Sequence, residues 1–362
     1  MPAGVDDPTS PSGGNTYDRR VCRELPRIGW QVHEHTVAGD WPRPGADARE
    51  ELARTLRAAP DGSLVLLDGL VACGVPEVVV PEAERLRLAV LVHLPLGDET
   101  GLAPDVAAAL DAAERRTLRA AAAVVATSNW AAGRLVDHHE LAAERVHVAE
   151  PGADIAPLAT GAGTGPAAGG PPRLLCVASV TPRKGHHLLV RALASVADLP
   201  WTCECVGGLG QSPGYVDQVR GLIGELGLGD RVRLVGPRTG PGLNSHYATA
   251  DLLVLPSRSE TYGMVVTEAL ARGVPVLATA VGGTPEAMGQ APDGSVPGFL
   301  VPPEDPVALA AALRRWLAGP GERHRSKAAA RRRRTALAGW ETTSRNLARA
   351  LEQIRQETLE AA

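Results

Sequence analysis

The stretch S-E-T-Y-G-M-V-V-T-E-A-L, from Ser259 to Leu270, decides the fold of this chain. It lies between two short apolar runs, residues 252–255 and 274–277, and this order predicts a strand, a loop, a helix and a second strand. Glu260 falls in the predicted loop, and Glu268 falls two turns along in the predicted helix. In an open α/β sheet, ligands bind beyond the carboxyl ends of the strands, where helix N-termini also point. We therefore expect both carboxylates to face a ligand cleft.

The start of the predicted helix offers a second set of binding groups. The first backbone N–H groups of a helix have no partner inside the helix. Here these groups belong to Tyr262, Gly263, Met264 and Val265. A diphosphate flanked by sugar hydroxyls would use both the amides and the two carboxylates. The alternative is that Glu260 caps the helix and that Glu268 is an ordinary solvated residue, since such pairs are common on helix surfaces.

The residues around this stretch carry a longer pattern. The string P-S-x-x-E-x-x-G-x-x-x-x-E-A-L-A-x-G-x-P-V begins at Pro256, and G-G-x-x-E follows it at Gly282, Gly283 and Glu286. This pattern resembles the E-x7-E region of the retaining, GT-B-fold glycosyltransferases of family four. The resemblance covers residues 12 to about 355. It implies an α/β protein with two Rossmann-like domains, whose parallel sheets face each other across a cleft, and a C-terminal helix that crosses back to the first domain.

Size and composition agree with this fold class. A chain of 362 residues is long enough for two domains, and 44% hydrophobic with 22% charged residues is typical of globular proteins. A net charge of −4, one Phe and four Tyr argue against nucleic-acid binding, which uses cations and stacking rings. No apolar run reaches 18 residues and no basic-then-apolar leader is present, so we expect no membrane span and a cytoplasmic protein.

Alternating strand and helix patterns predict a parallel sheet in each domain. The predicted strands of the first domain are residues 30–37, 63–68, 86–93, 123–127 and 145–148. Those of the second are residues 174–179, 201–206, 232–235, 252–255, 274–277 and 298–301. The clearest helical patterns are residues 104–121 and 129–137, with Ser128 as N-cap. The predicted first domain is 1–153 and the predicted second domain is 173–338, with a Gly-, Pro- and Ala-rich linker at 154–172 between them. A helix at 339–362, which Trp340 starts, is predicted to return to the first domain.

The N-terminal residues form a glycine loop without a strand before it. Residues 1–10 contain no strand pattern, and P-S-G-G-N-T-Y-D-R-R follows, with Gly13 and Gly14 ahead of a helical pattern that ends near Gly29. In a doubly wound domain such a loop follows the first, central strand. We therefore expect that the first strand is missing, that the chain is a truncated or mis-started version of a longer one, and that neighbouring strands expose unpaired edges.

A second motif opens the second domain in A-S-V-T-P-R-K-G-H-H, residues 178–187. Lys184 stands where a strand-end loop turns into a helix, and Arg183 adds a second cation, so both could stabilise a departing diphosphate. A solvated loop is the alternative. The loop resembles the family's G-R-x-x-x-x-K-G motif, but Ser179 occupies the position where the family usually has a diphosphate-binding arginine. The resemblance implies that Arg183 reaches in its place or that the donor is held more weakly.

Two further segments are interpreted through the resemblance. His93 ends an apolar strand, and in the resembling family a histidine at this place contacts the transferred sugar; a structural role is the alternative. V-G-P-R, which ends at Arg238, occupies the place where family members hold the nucleotide base. The chain contains no D-x-D motif, and Cys203 and Cys205 lack the second pair of a zinc site, so we expect neither a metal nor another cofactor.

The arginine-rich C-terminal region has two interpretations. Arg323, Arg325, Lys327 and the run 331–334 precede an amphipathic stretch at residues 341–355. Four successive arginines cover every side of a helix, which indicates a solvated surface rather than a membrane-facing stripe. Weak peripheral contact with an anionic membrane is the alternative.

The resemblance implies a metal-independent, retaining transfer of a hexosyl unit from a nucleotide-diphosphate sugar to a hydroxyl of a small-molecule, lipid or glycan acceptor. In that reaction Glu268 binds the ribose hydroxyls and Glu260 the hydroxyls of the transferred sugar. Lys184 and Arg183 bind the diphosphate, and Gly13 and Gly14 close over it from the other domain. The alternatives are a phosphorylase, a sugar-nucleotide synthase or a 2-epimerase of the same fold, and a non-catalytic nucleotide-sugar-binding protein. The base, the sugar, the acceptor and the oligomeric state stay open.

Overall fold

The computed structural model of the protein describes residues 1–162 and 169–360. The chain forms two compact units. Unit 1 comprises Met1–Asp6, Ser12–Gly152 and the residues from Ala338 onward, and unit 2 comprises Asp7–Pro11 and Ala153–Leu337. Within the described residues, no helix combines the length and the apolarity that crossing a lipid bilayer requires.

Unit 1 is built on a sheet of four parallel strands in the order β1-β2-β3-β4. The strands are β1 (Leu64–Asp68), β2 (Arg87–Val92), β3 (Ala123–Ala126) and β4 (Val146–Val148). β2 and β3 are almost entirely buried and almost entirely apolar, as expected for parallel strands covered on both faces. Four of the five strands predicted from the sequence are therefore confirmed, each within two residues of its predicted bounds.

Seven helices complete unit 1 in the described part of the chain. They are α1 (Gly13–Glu24), α2 (Ala46–Ala58), α3 (Gly69–Ala72), α4 (Pro76–Val79), α5 (Pro104–Ala120), α6 (Asn129–His139) and α14 (Trp340–Glu360). The predicted cap of α6 is confirmed, because the Ser128 hydroxyl accepts a hydrogen bond from Ala131 N at 3.0 Å. The predicted return of the C-terminal helix is also confirmed: α14 packs on α1, and the rings of Trp340 and Tyr17 meet edge to face at 5.6 Å.

The predicted strand at residues 30–37 is wrong. Within the described residues, this segment makes a single isolated bridge, in which Val37 pairs in parallel with Pro2. A β-strand needs a hydrogen-bonded neighbour along its length, and here the neighbouring backbone extends only over the first three residues of the chain. The apolar alternation alone therefore could not form a strand. Before α1, Ala3–Asp6 form a short 3₁₀-helix.

Unit 2 contains a sheet of six parallel strands. They are β5 (Arg173–Val177), β6 (Thr202–Val206), β7 (Val232–Gly236), β8 (Leu252–Leu255), β9 (Val276–Thr279) and β10 (Gly298–Val301). The spatial order is β10-β9-β8-β5-β6-β7. Counted within the unit, this is the 3-2-1-4-5-6 order of the doubly wound dinucleotide-binding fold. Its helices are α7 (His186–Ala194), α8 (Pro213–Glu225), α9 (Gly240–Thr249), α10 (Met264–Leu270), α11 (Thr284–Met288), α12 (Pro306–Ala318) and α13 (Pro320–Arg333).

The predicted linker at 154–172 differs from the structure at its start. Residues 154–162 belong to unit 2, where Ala159 N donates to Arg272 O at 2.9 Å and Ala162 N donates to the Asp251 carboxylate. Hydrogen bonds to fixed partners order this part of the segment in spite of its low hydrophobicity. Residues 163–168 of the predicted linker lie outside the described residues.

Three of the four arginines at 331–334 form hydrogen bonds or an ion pair with other residues of unit 2. Arg333 donates to Met288 O, Arg334 donates to Ala271 O and Ala156 O, and Arg332 pairs with Asp293 at 2.7 Å. Two of these contacts satisfy carbonyl oxygens at helix ends, Met288 O at the end of α11 and Ala271 O at the C-cap of α10. The prediction of a solvated surface therefore holds for Arg331 and Arg332, which are exposed, and is wrong for Arg333 and Arg334, which are partly buried.

Candidate active site

The order of the strands in unit 2 creates a topological switch point between β5 and β8. From β5 the chain runs outward through β6 and β7, then returns to β8 and runs outward on the other side through β9 and β10. The loops that follow β5 and β8 therefore leave the sheet side by side but turn in opposite directions. In doubly wound folds, ligands bind in the crevice that such loops form at the carboxyl ends of the strands.

The loop after β5 presents Lys184 at this switch point. Pro182–Lys184 form a short 3₁₀-helix, and Gly185 ends it with a φ of 70° before α7 begins. The loop lies directly against the loop after β8: a Cβ atom at Gly185 would be 2.1 Å from Pro256 O, and Arg258 N donates to Arg183 O at 2.8 Å. Only glycine allows both this φ and this approach of two backbones.

Glu260 is the carboxylate that these two loops hold between them. Its side chain is 8% exposed, accepts a hydrogen bond from Lys184 Nζ at 2.5 Å and accepts another from the buried Ser257 hydroxyl at 2.7 Å. Burial acts to raise the pKa of Glu260, but the charges of Lys184 and Arg183 outweigh it and hold the pKa below the usual value. The carboxylate is therefore ionised at neutral pH. The stability that it contributes is present above its unfolded pKa and is lost as the pH falls through the folded one.

Arg183 and Gly283 fix the backbone on either side of this carboxylate. Arg183 Nη1 donates to Ser259 O at 3.3 Å, and Gly283 N, from the loop after β9, donates to Glu260 O at 3.1 Å. The loops after three neighbouring strands of the sheet, β5, β8 and β9, thus meet at Glu260. The structure brings together the two cations and the first glutamate of the predicted site.

The second glutamate of the predicted site, Glu268, lies in α10 and is held by residues of its own surroundings. Tyr247 of α9 is fully buried, and its hydroxyl donates to Glu268 Oε2 at 2.7 Å. The Arg272 guanidinium lies 4.6 Å from the centre of the Tyr247 ring and donates to Glu268 O at 2.8 Å. The partly exposed Glu268 carboxylate is therefore held in one orientation by a rigid aromatic side chain.

The four predicted amide donors lie at the start of α10, as expected. Gly263 is the N-cap residue with a φ of 94°, and Met264 is the first helical residue. Tyr262 is 7% exposed and belongs to the buried cluster beneath the helix. Val265 completes the first turn. These amides follow Glu260 directly, at the same edge of the sheet.

The glycine loop after β6 packs against the loop that carries Ser179. Val180 N donates to Gly208 O at 2.8 Å, and a Cβ atom at Gly208 would lie 3.4 Å from Ser179 Oγ. A hydroxyl thus stands where the resembling family usually has an arginine. The predicted base-binding residue Arg238 is exposed at the end of β7, and its guanidinium donates to the neighbouring Pro237 O at 2.8 Å.

In unit 1, α1 holds His93 at the end of β2. Asp18 Oδ1 lies 2.8 Å from His93 Nε2, and the Tyr17 ring meets the imidazole edge to face at 5.2 Å. A Cβ atom at Gly14 would lie 3.0 Å from the imidazole ring, so glycine permits this close packing, whereas Gly13 is exposed at the first position of α1. Burial acts to lower the pKa of His93, but the Asp18 and Asp68 carboxylates outweigh it and raise the pKa above the usual value.

Asp68 is the third member of this buried group, and its charge is unfavourable there. It is 8% exposed at the end of β1, and burial raises its pKa from 3.8 to about 6. The unfolded chain releases this proton near pH 4, whereas the folded chain keeps it to about pH 6, so stability falls as the pH rises through this interval. A shift of two pKa units corresponds to roughly 3 kcal/mol.

Changing Asp68 to asparagine is therefore expected to stabilise unit 1 at pH 8 and to have little effect at pH 4. Asparagine still accepts the hydrogen bond from Leu70 N, which Asp68 Oδ1 makes at 2.7 Å. Calorimetry should show a melting temperature about 5 °C or more above the wild type at pH 8. Asp137→Asn, at an exposed position of α6, is the matched control and should leave the pH dependence unchanged. Identical pH profiles for the wild type and Asp68→Asn would contradict this assignment.

Three clusters in the described residues bring possible metal-ligand atoms within 4.8 Å of one another. They are Cys176 with His186 and Cys205, Asp111 with His138 and His139, and Asp18 with Asp68 and His93. The first lies in the apolar core of unit 2, where hydrogen bonding and burial raise the pKa of Cys176 well above the usual value. A metal binds the thiolate, and this environment favours the thiol. The buried cysteines of β5 and β6 therefore behave as small hydrophobic residues.

Four supporting residues were missed in the sequence. Ser257 stands three positions before Glu260 in the motif string and was available as a signal. The sequence contains no signal for Tyr247, Asp18 and Asp68, because each of them contacts a partner that is distant in the chain. Asp18 and His93, for example, are 75 positions apart.

Comparison with known proteins finds similarity to glycosyltransferases. Residues 164–333 match the family model described as glycosyl transferases group 1. D-inositol 3-phosphate glycosyltransferase from Salinispora tropica is 34% identical over 228 residues, which cover 58% of this chain and 46% of the relative. The chain thus spans about half of the length of the curated relatives that it matches.

Two solved structures share the fold. Sucrose-phosphate synthase from Thermosynechococcus elongatus superposes with a TM-score of 0.75 at 24% identity, covering 99% of this chain and 98% of that one. Anabaena HepE, in complex with UDP-glucose, superposes with a TM-score of 0.72 at 21% identity, covering 98% and 97%. The fold class predicted from the sequence is confirmed. The chain therefore has the α/β architecture of the GT-B glycosyltransferases, and its residues 164–333 match the glycosyl transferases group 1 family.

Proposed function

We propose that the protein is a retaining glycosyltransferase that moves a hexosyl unit from a nucleotide-diphosphate sugar to an acceptor hydroxyl without a metal ion. The observation that carries this proposal is the Lys184–Glu260 pair at the β5–β8 switch point. A lysine, an arginine and a buried ionised carboxylate converge there on adjacent loops, at 2.5 Å for the closest pair. A diphosphate needs such cations, and sugar hydroxyls need such an acceptor.

The diphosphate is assigned to Lys184 and Arg183, together with the amides at the start of α10. Two fixed positive charges can neutralise the charge that develops on the departing diphosphate, which is the role of a metal ion in other enzymes. Ser179 adds a hydroxyl where the resembling family has a further cation. We therefore expect turnover to persist in the presence of a chelator and the donor to bind with moderate affinity.

The two glutamates are assigned to the two sugars of the donor. Glu260 accepts hydrogen bonds from hydroxyls of the transferred hexose, because it lies beside the diphosphate-binding cations. Glu268 accepts hydrogen bonds from the ribose, because Tyr247 orients its carboxylate two turns further along α10. Arg238 keeps its assignment beside the base. In unit 1, Gly13 and Gly14 keep their assignment to the donor and His93 its assignment to the transferred sugar, with the imidazole oriented by Asp18.

The chemical step follows from these assignments. The bond between the anomeric carbon and the phosphate oxygen breaks while the acceptor hydroxyl forms a new bond to the same carbon from the same face. The hydroxyl proton passes to a departing phosphate oxygen. Lys184 and Arg183 stabilise the diphosphate as its negative charge grows, so their contribution is larger in the transition state than in the bound donor.

Thermal shift against nucleoside diphosphates and their sugars tests donor binding, because a ligand that prefers the folded form raises the melting temperature. UDP-glucose is the first candidate, since HepE binds it. Glu268→Ala should weaken binding of the stabilising donor by roughly 10- to 100-fold and leave kcat nearly unchanged. Glu225→Ala, at an exposed position of α8, is the matched control. Unchanged donor affinity in Glu268→Ala would refute the ribose assignment.

Ser179 favours one second candidate, a non-catalytic nucleotide-sugar-binding protein. Such a protein would bind a nucleotide sugar but neither transfer nor hydrolyse it. Incubation with the stabilising donor, followed by detection of the free nucleoside diphosphate, separates the two functions. Release of free nucleotide excludes the binding protein. The same assay with added phosphate or without an acceptor distinguishes a phosphorylase or an epimerase from a transferase.

A further inference from the structure

Two carboxylates of α5 meet two histidines of α6 in unit 1. Asp111 Oδ1 contacts His138 Nε2, and Glu114 Oε2 lies 3.2 Å from His139 Nε2. Adjacent side chains on a helix normally point apart. At the end of α6, however, the two imidazole rings meet edge to face with their centres 4.8 Å apart. The two helices therefore bring four groups that can bind or orient a metal ion into one place.

One buried atom of this cluster lacks a partner. His139 is fully buried, and its Nδ1 has no hydrogen-bond partner among the described residues. An unpaired buried polar atom costs roughly 1–3 kcal/mol. A neutral imidazole has one N–H and one bare nitrogen, so when Nε2–H donates to Glu114, Nδ1 presents a lone pair. A carboxylate on one nitrogen and a metal ion on the other is the usual arrangement of a histidine ligand.

The spacing of the cluster suits a small cation. The possible ligand atoms of Asp111, His138 and His139 lie within 4.8 Å of one another. Bonds of about 2.0–2.1 Å to a tetrahedral Zn²⁺ place ligand atoms roughly 3.3 Å apart, so the side chains must close by up to about 1.5 Å. Asp111 and His138 can make this movement, because their side chains are 31% and 40% exposed. The same exposure gives the cation a path from the solvent.

The loop after β2 holds the carboxylates in position. Leu96 N donates to both oxygens of Glu114, each at 3.3 Å. A Cβ atom at Gly97 would lie 3.4 Å from Asp111 Cβ, so the loop packs closely on the second carboxylate as well. Such fixed partners around the ligands raise the affinity of a metal site. A cation bound here would also fasten the loop that begins at His93.

The nearby positive charges are already engaged with other groups. Arg115 donates to His138 O, and Arg119 donates to His139 O, so both guanidinium groups lie on the backbone at the end of α6. Both also pair with the exposed carboxylate of Glu140. The two carboxylates of α5 thus keep their negative charge toward the imidazole rings, where it favours a cation.

We propose that Asp111, His138 and His139 bind a divalent transition-metal ion such as Zn²⁺, and that Glu114 orients the ring of His139. Two imidazole nitrogens and one carboxylate oxygen suit Zn²⁺ and leave a fourth position to water. Mg²⁺ prefers oxygen ligands and should not bind. The ion fastens α5 to α6 and, through Glu114, to the loop after β2. It takes no part in the sugar transfer proposed above.

Calorimetric titration of the full chain with Zn²⁺ tests the site, after treatment with a chelator and its removal. One ion should bind per chain with a micromolar or lower Kd. At a free concentration of about 100 times Kd, Zn²⁺ should raise the melting temperature by about 5–10 °C. The same concentration of Mg²⁺ should leave the melting temperature unchanged.

Four variants assign the ion to its ligands. His138→Gln and Asp111→Asn remove ligands at partly exposed positions, so the fold should persist while Zn²⁺ affinity falls by about 100-fold or more. Glu114→Gln should lower the affinity by roughly 10- to 100-fold, as the loss of an outer partner does. His324→Gln, at an exposed position of α13, is the matched control and should bind Zn²⁺ like the wild type. The first two variants are sufficient even if Glu114→Gln folds poorly.

Co²⁺ in place of Zn²⁺ separates this site from the thiols of unit 2. Nitrogen and oxygen ligands give no sulfur-to-metal charge-transfer band, whereas Cys176 and Cys205 would give one. Loss of Zn²⁺ binding in His138→Gln and Asp111→Asn, without a thiolate band, supports the proposal. Undiminished binding in these two variants, a thiolate band, an equal loss in His324→Gln, or no binding to the wild type overturns it.

Discussion

Changing Glu260 to alanine is expected to lower turnover by roughly two to three orders of magnitude, which corresponds to about 3–4 kcal/mol of lost transition-state stabilisation. The carboxylate is buried, ionised and fixed by Lys184 and Ser257, so its contact with the transferred sugar is preorganised. Such a contact contributes most when charge shifts in the sugar as the bond to phosphate breaks. Single-turnover and steady-state kinetics with the donor found by thermal shift measure the effect.

Two further variants separate catalysis from stability. Alanine leaves Lys184 without its carboxylate partner in a site that is only 17% exposed, and this loss alone destabilises the protein. Glu260→Gln keeps the shape and removes the charge, so it should retain the melting temperature better while losing a similar part of the turnover. Glu304→Gln removes an exposed glutamate that pairs with Arg258 at the surface and should change neither quantity. Full turnover in Glu260→Ala would refute the role of this residue.

Changing Gly185 to alanine is expected to destabilise unit 2 by about 3 kcal/mol or more and to weaken donor binding. Alanine pays roughly 1–2 kcal/mol for the left-handed conformation alone. Its Cβ atom would also lie 2.1 Å from Pro256 O, a distance that no real contact tolerates. The loop after β5 must then move away from the loop after β8, and Lys184 moves with it. Calorimetry and donor titration measure the two effects.

Gly221→Ala is the matched control for this prediction. Gly221 lies inside α8, and an added Cβ atom would meet nothing within 4 Å. Because alanine loses less conformational entropy than glycine in a helix, this variant should gain about 0.5–1 kcal/mol. A Gly185→Ala protein that is as stable as Gly221→Ala would show that the two loops do not depend on this contact.

The elements of unit 2 followed from local patterns because each apolar run found its neighbours in the sheet. β8 and β10 begin and end at the first and last residues of the strands predicted at 252–255 and 298–301. β9 begins two residues after its run, because Pro275 has no N–H to donate to the ladder. The segment 30–37 has a comparable pattern and forms no strand, since pairing depends on residues that the pattern does not contain.

The candidate site was predictable where the chemistry is contiguous in sequence. Glu260 and the first residues of α10 belong to one stretch, and Lys184 belongs to another, so motif spacing was sufficient. The partners that orient them come from elsewhere: Tyr247 reaches Glu268 from a different helix, and Asp18 reaches His93 from α1. Spacing cannot predict such pairs, because they depend on how helices pack onto the finished sheet.

The position of α14 determines the order in which the protein can fold during synthesis. This helix covers α1 in unit 1, and Thr343 Oγ1 donates to Glu150 O at 2.7 Å, yet the ribosome makes it only after Ala153–Leu337. At roughly 5–20 residues per second, that stretch takes on the order of ten seconds or more. Unit 1 therefore cannot be completed until α14 emerges, so the unit whose sheet is translated first waits for a helix that is translated after unit 2.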